Sequence, residues 1–305
     1  ILEGIINVNK PSGITSFDIL EGIINVNKPS GITSFDVVRK LRRILHERKI
    51  GHTGTLDPLA EGVLVVCIGK ATKLVQDIEG YEKTYTAGFE LGYRTDTYDT
   101  EGQIIEKREI NNVTLGELEN VLKKFIGEIE QIPPMYSALK VDGKKLYELA
   151  RQGIEVERKA RLIEIKFIDI VEFDGVKGKI RCGVSKGTYI RSLIDDMGKA
   201  LGTLATMTSL VREKVGSSNI EDSYTLEDIE AISLEEKTDF LCSVEDFFKY
   251  PKITLEGEKN MILFLNGNTV RFTAADGRYR IYDSTGKFLG LCNVSNNLLK
   301  GYKYF

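Results

Sequence analysis

One stretch of the chain concentrates groups able to do chemistry: Gly51-His52-Thr53-Gly54-Thr55-Leu56-Asp57-Pro58-Leu59-Ala60-Glu61-Gly62. Three glycines and a proline bracket one aspartate and one histidine, just ahead of an apolar run from Val63 to Ile68. Glycines let backbone approach a ligand closely, and loops held by rigid strands are where reactive side chains concentrate. A carboxylate in such a loop can serve as a nucleophile or as a general base. Taken alone, Asp57 before Pro58 reads equally as a turn cap. The GxxxxGK[ST] phosphate loop is absent, so nucleotide hydrolysis has no support. Cys67, Cys182, Cys242 and Cys292 are far apart without a CxxC pair, and two histidines complete no zinc set. Reduced, buried thiols of a cytoplasmic protein are the expectation.

The elements that must position this loop can be read from periodicity. Ile23 to Val26 reads as a short strand running into the turn Lys28-Pro29-Ser30-Gly31. Thr33 or Ser34 then caps a helix with apolar positions Val37, Val38, Leu41, Ile44 and Leu45, leaving Arg39, Lys40, Arg42 and Arg43 on its other face. Strands are expected at 63–68 and 84–91. A capping box at Thr114 to Glu117 opens a helix expected to continue through Leu118, Leu122, Phe125, Ile126 and Ile129 until Pro133-Pro134. A basic stretch follows from Tyr136 to Arg161, then strands at 162–173 and 178–185. Ile190, Leu193, Ile194, Met197 and Leu201 form a helix closed by Gly202. After Tyr250-Pro251, short strands and glycine turns predict a small all-β domain. The expected class is α+β: a large mixed-sheet domain over 19–249 and an all-β domain over 250–305.

Composition narrows the function classes. Of 305 residues, 42% are hydrophobic and 29% charged, a balance that argues against wholesale disorder. The longest uncharged apolar stretch, Gly62 to Gly69, is far short of the ~20 residues of a membrane helix. The start, Ile-Leu-Glu-Gly, carries no secretory pattern. The net charge of −3 hides a division, since residues 219–246 carry ten acids against one base. By contrast, residues 28–53 carry seven bases against two acids, a local basic face compatible with a polyanionic partner. Residues 1–18 recur letter for letter as 19–36, and nothing similar follows. Solenoid repeats diverge and need several stacked units, so the first copy reads as a duplication artefact.

Five further motifs, with the aspartate loop, carry a resemblance. They are Asn27-Lys28-Pro29-Ser30-Gly31-Ile32-Thr33-Ser34, Lys83-Thr84-Tyr85, Pro133-Pro134-Met135-Tyr136-Ser137-Ala138-Leu139-Lys140, Val184-Ser185-Lys186-Gly187-Thr188-Tyr189-Ile190-Arg191-Ser192-Leu193, and Leu210-Val211-Arg212 to Gly216. In order and spacing these resemble the motifs of the TruB family of tRNA pseudouridine synthases, from residue 19 to about 216. The resemblance implies isomerisation of a T-loop uridine of tRNA (uridine 55) to pseudouridine by base flipping, with no cofactor and no metal. It implies that Asp57 is the reacting carboxylate, as nucleophile or base, that Arg191 pairs with it, and that Tyr85 stacks on the target base. It places Tyr189 and Leu210 as pocket walls, Lys28 beneath the aspartate loop, and His52 pressing into the T-loop. Singly, each of these except Asp57 reads as ordinary packing or surface charge.

The resemblance also implies an RNA-binding insertion near 133–161 and a PUA-like C-terminal domain reaching the tRNA acceptor end. The expected partners are the tRNA T-arm and acceptor end, with no membrane and no required protein partner. A monomer is expected. Two alternatives share the same motifs: a guide-dependent rRNA pseudouridine synthase, disfavoured by the lack of a Lys-rich tail, and a protein acting mainly as a tRNA-folding chaperone.

Overall fold

Apolar residues facing both ways along one strand set the architecture. The computed structural model describes residues 20–110, 112–141 and 143–305; the duplicated segment 1–18 lies outside the described residues. The chain begins with β1 (Gly22–Lys28), α1 (Ser34–Ile44), β2 (Ile50–His52) and β3 (Glu61–Ile68). Both β1 and β2 pair antiparallel with β3. In β3, Leu64, Val66 and Ile68 enter one core while Val63, Val65 and Cys67 enter another. A strand covered on both faces reads as a continuous apolar run, which is why 63–68 does not alternate. Thr33 caps α1 in a reciprocal box with Asp36, and Val37, Val38 and Leu41 face the first core.

The chain continues through α2 (Val75–Glu79), β4 (Lys83–Leu91), the hairpin β5 (Tyr93–Thr95) and β6 (Ile104–Lys107), α3 (Leu115–Leu122) and β7 (Gly127–Gln131). Here one expectation is corrected. The helix that opens at Thr114 does not run to Ile129; after Leu122 it tightens into a single turn, and Gly127 turns the chain at φ 103°. Only glycine adopts that left-handed backbone without strain. Residues 127–131 then alternate as an edge strand against Arg161–Ile165.

The basic stretch holds a small hairpin, β8 (Lys140–Val141) with β9 (Lys144–Lys145), and α4 (Leu146–Ala150). Next come β10 (Arg161–Phe173), β11 (Lys177–Val184), α5 (Ile190–Ala200), β12 (Ala205–Val215) and β13 (Ser218–Asn219). Together they complete a nine-stranded mixed sheet in the order β1-β3-β12-β4-β11-β10-β7, with β2 on β3 and β13 on β12. The β12–β3 pair is parallel. Sequence reading assigned no strand to 205–215, although β12 lies between β3 and β4. Two register shifts, at Met207/Ser209 and Arg212/Lys214, break its period-two pattern.

The acidic segment forms α6 (Leu226–Leu234) and α7 (Val244–Phe247). Beyond it lies a five-stranded sheet of β14 (Lys252–Thr254), β15 (Val270–Arg271), β16 (Gly277–Tyr282), β17 (Phe288–Ser295) and β18 (Leu298–Tyr304), in the order β14-β16-β17-β18-β15. A helix, α8 (Glu258–Leu265), seals its core with Phe264. This sheet is not loosely tethered. Leu291, with Phe288, Tyr302 and Phe305, joins Ile23, Val63, Val65, Val244 and Phe248 in one apolar cluster behind the large sheet.

A chain ending at Lys249 uncovers that cluster. At ~1.5–3 kcal/mol per buried large apolar side chain, the loss should lower the stability of the large domain by at least about 3 kcal/mol. Urea unfolding of the truncated chain would show this as a reduced midpoint. An unchanged midpoint would mean that the two sheets are energetically independent.

Candidate active site

The aspartate loop is fastened from several sides before any charge is considered. Ser34 Oγ, at the start of α1, accepts from the Leu56 N–H at 2.8 Å and donates to the Leu56 carbonyl at 3.2 Å. The Gly31 N–H donates to the Pro58 carbonyl at 2.8 Å, and Ser30 Oγ to the Leu59 carbonyl at 2.8 Å. Lys28 is fully buried and donates to the carbonyls of Ile32 (2.7 Å), Pro29 (2.8 Å) and Pro58 (3.4 Å). Burial lowers its pKa to about 8, while Asp57 pulls it upward. Its three N–H groups thereby join the Lys-Pro-Ser-Gly turn to the Asp57 loop. The loop closes at Gly62 (φ 99°), where a Cβ would lie 2.3 Å from the Arg212 carbonyl.

Asp57 meets Arg191 in a bidentate pair, Nε to Oδ2 at 2.9 Å and Nη2 to Oδ1 at 3.0 Å. Parallel N–H···O bonds fix both distance and direction, which a lysine could not do. Arg191 sits at the first turn of α5 and is itself gripped. Nη1 donates to the Thr97 carbonyl at 3.1 Å and lies 3.3 Å from Asp99 Oδ2; Nη2 donates to the Tyr136 carbonyl at 2.8 Å. Asp99 is held in turn by Thr97 Oγ1 and the Glu101 N–H. The loop between β5 and β6 includes Tyr98 at φ 65°, a costly conformation for a bulky residue. Arg94 steadies it, donating to the Tyr98 hydroxyl at 2.9 Å while pairing with Asp195 of α5 at 2.7 Å.

These groups surround a cavity of about 320 Å³. Asp57, Arg191, Tyr85, Tyr189 and Leu210 all line it. Tyr85 and Leu210 lie on adjacent strands, with Tyr85 opposite Arg212 and Ala87 opposite Leu210. Tyr189 is fixed through its backbone: its N–H donates to Gln131 Oε1 at 2.8 Å, and Gln131 Nε2 donates to its carbonyl at 3.0 Å. Lys28 and His52 do not reach the cavity wall. His52 ends β2, and its Nδ1 accepts from the Gly54 N–H at 3.4 Å. Burial and the nearby Arg212 charge lower the His52 pKa, favouring neutral imidazole. The sequence assigned no site role to Asp99 or Gln131, offered Ser34 only as a helix cap, and gave Arg212 only as part of a motif. Each is a buried polar residue, a signal that sequence conveys only after topology is known.

The electrostatics of Asp57 are a balance. Burial raises its pKa above the ordinary carboxylate value; Arg191 opposes that, Asp99 adds to it, and Lys28 opposes it again. About a third of the side chain remains exposed toward the cavity. The arrangement thus offers an oriented carboxylate at the floor of a pocket with aromatic and aliphatic walls.

Residues 42–190 match the TruB family pseudouridylate synthase N-terminal domain, and 191–246 match the tRNA pseudouridylate synthase B C-terminal domain. The chain is 56% identical to tRNA pseudouridine synthase B of Fusobacterium nucleatum, over 100% of both chains. It is 45% identical to the protein of that name from Clostridium kluyveri, over 95% of each. Among solved structures, a chain of a Cbf5-Nop10-Gar1 complex superposes with a TM-score of 0.68 at 27% identity, over 93% of this chain and 83% of that one. A chain of an H/ACA RNP bound to a substrate RNA containing 2'-deoxyuridine gives 0.68 at 25%, over 93% and 84%.

Because Arg191 opposes the effect of burial, its removal should push the Asp57 pKa further up. A carbon-13 carboxyl NMR titration of the native protein should find Asp57 above the ordinary value of about 3.9, and Arg191→Met should shift its midpoint higher still. A lower midpoint in the variant would refute this account of the balance.

Proposed function

The chain belongs to the TruB family of pseudouridylate synthases, and from that premise we propose that it converts the T-loop uridine of tRNA at position 55 to pseudouridine. The observation that carries this reading is the bidentate Arg191–Asp57 pair at the floor of a cavity walled by Tyr85, Tyr189 and Leu210. The target base must leave the loop stack to reach such a floor. Tyr85 offers it a ring face, and Tyr189 and Leu210 confine it. The N1–C1′ bond then breaks, the detached uracil turns within the walls, and a C5–C1′ bond forms. N1 gains a proton and C5 loses one, so atoms balance without redox chemistry. Asp57 acts in its ionised form, either by attacking C1′ or by removing a ribose proton. Arg191 keeps the carboxylate charged and aimed.

Lys28 supports the loop from beneath. His52, at the end of β2 and outside the cavity wall, presses against the T-loop where the base has left. The basic helix α1 and the stretch 133–161 are suited to phosphate contacts, which position RNA without reading sequence. We assign residues 19–249 to catalysis and 250–305 to a PUA-like module contacting the acceptor end. The enzyme acts as a monomer without protein partners, in the cytoplasm. Among the described residues, no helix is long and apolar enough to cross a membrane. Identities of 56% and 45% to tRNA pseudouridine synthases B, against 27% and 25% to chains of the Cbf5-Nop10-Gar1 and H/ACA RNP complexes, favour tRNA over a guided rRNA target.

Asp57→Asn keeps size and hydrogen bonding but removes the charge that either role requires. It should abolish pseudouridine formation in a tRNA transcript, read by mass spectrometry, while affinity stays within about threefold, roughly 0.7 kcal/mol. Retained product would sink the assignment of Asp57. A binding loss as large as the rate loss would make it a positioning residue.

Residues 1–18 duplicate a segment whose second copy already supplies β1, the turn and Lys28. Their deletion should leave turnover unchanged. A loss beyond tenfold, about 1.4 kcal/mol in the barrier, would give the first copy a structural role.

A further inference from the structure

The cavity has a second charged feature, away from Asp57, which the reaction as described does not use. Lys83 and Arg212 both line it, and both are buried, at 8% and 2% exposure. Neither has a carboxylate within salt-bridge distance among the described residues. Glu79, the only acid on the lining besides Asp57 among the described residues, is engaged by Lys186 at 3.0 Å. Lys83 Nζ donates to the carbonyls of Tyr81 (2.6 Å) and Glu79 (2.8 Å), which leaves one N–H. Arg212 donates from Nε to the Val63 carbonyl at 2.7 Å and from Nη2 to the Gly54 carbonyl at 3.0 Å. Its Nη1 has no acceptor among the described residues. Gly54 lies between the two cations: a Cβ there would be 3.6 Å from Arg212 Nη1 and 3.9 Å from Lys83 Cε, so its missing side chain leaves that space open.

Two anchored, buried cations with no carboxylate at salt-bridge distance are costly, and a cation-rich cleft concentrates its field on an incoming anion. Their placement says which anion. Arg212 is directly opposite Tyr85 in the sheet, and Lys83 is two residues before Tyr85 on the same face of β4, roughly 6.6 Å along the strand. A nucleotide whose base rests on Tyr85 therefore carries its sugar–phosphate past both.

We infer that Lys83 and Arg212 form a phosphate seat for a phosphodiester flanking the flipped nucleotide, so that base and backbone are gripped by neighbouring residues of one cavity. This rests on the functional reading above. The seat explains why the pocket tolerates uncompensated charge: the counter-ion arrives with the substrate. Burial and the Arg212 charge lower the Lys83 pKa to about 8, a cost that a bound phosphate would reverse.

The test uses the full chain and T-arm stem–loop RNAs in which the linkage 5′ or 3′ of the target uridine is a neutral methylphosphonate. One of the two should weaken binding to the native protein about tenfold and thereby identify the seated linkage. Lys83→Met should lose about as much on the natural RNA, and the neutral linkage should then cost it less than threefold. Lys83→Arg should recover most of the affinity. Circular dichroism and thermal unfolding would check that the variants fold, and Arg212→Lys provides a second, charge-preserving substitution with a smaller loss. If both neutral linkages bind the native protein within twofold of the natural RNA, or if the losses multiply in Lys83→Met, the seat is refuted and the two cations only brace the loop or face the base. If the native protein makes no pseudouridine in the natural stem–loop, the functional reading falls and takes this inference with it; product formation with indifferent linkages overturns this inference alone.

Discussion

The structure depends on holding and aiming one carboxylate against the cost of its own burial. Burial raises the Asp57 pKa, and the Arg191 guanidinium, 2.9 and 3.0 Å away, is the main opposing force. A buried guanidinium must itself be satisfied, or its desolvation cancels the gain. That requirement recruits Asp99 and the carbonyls of Thr97 and Tyr136. It also explains the strained Tyr98, since the β5–β6 loop must bring Asp99 and the Thr97 carbonyl to the same side of α5. Strain persists where the surroundings over-determine it, and here Arg94 ties the strained residue to Asp195 of the same helix.

Sheet topology supplies the second condition. Asp57 follows β2, Tyr85 lies on β4, Arg191 opens α5 and Leu210 lies on β12, so more than 150 residues separate the ends of the set. They converge because β12 inserts between β3 and β4, parallel to one and antiparallel to the other. An antiparallel meander would not have placed Leu210 and Arg212 beside Tyr85. Closure of Gly62 onto the Arg212 backbone locks this crossing. The C-terminal sheet buttresses it from behind, through Leu291 and Phe288 packed against the back of β1 and β3.

Legibility from sequence followed locality. The helix caps at Thr33 and Thr114, the apolar run of β3 and the helix from Ile190 are all short-range patterns, and each corresponds to an element. Where a single residue overrides a pattern, the reading failed. The helix from Thr114 stops short of Ile126 and Ile129, whose spacing of three fits a helical face, and Gly127 at φ 103° turns the chain into an edge strand instead. Bulges disguised β12. The site behaved in the same way. Asp57 and its motif neighbours were legible by resemblance, whereas Ser34 and Gln131 acquire meaning only where a distant backbone group needs a partner, and Asp99 only where the Arg191 guanidinium does.

The unpaired cations follow from the same principle by inversion. Elsewhere in this molecule buried charge is answered from within: Arg191 by Asp57 and Asp99, and Asp195 by Arg94 and Lys199. Lys28 spends its three N–H groups on carbonyls under the loop, which fixes backbone and leaves nothing for a ligand. Lys83 and Arg212 also hold carbonyls, yet each keeps a donor in reserve beside the same glycine. A residue needed only to brace the loop has no use for a spare donor facing a cavity. A sequence obeys local rules of polar satisfaction wherever folding alone is served, and departs from them where a partner completes the set. Within one pocket, a carboxylate held by a bidentate guanidinium thus stands beside two cations that each keep a donor free.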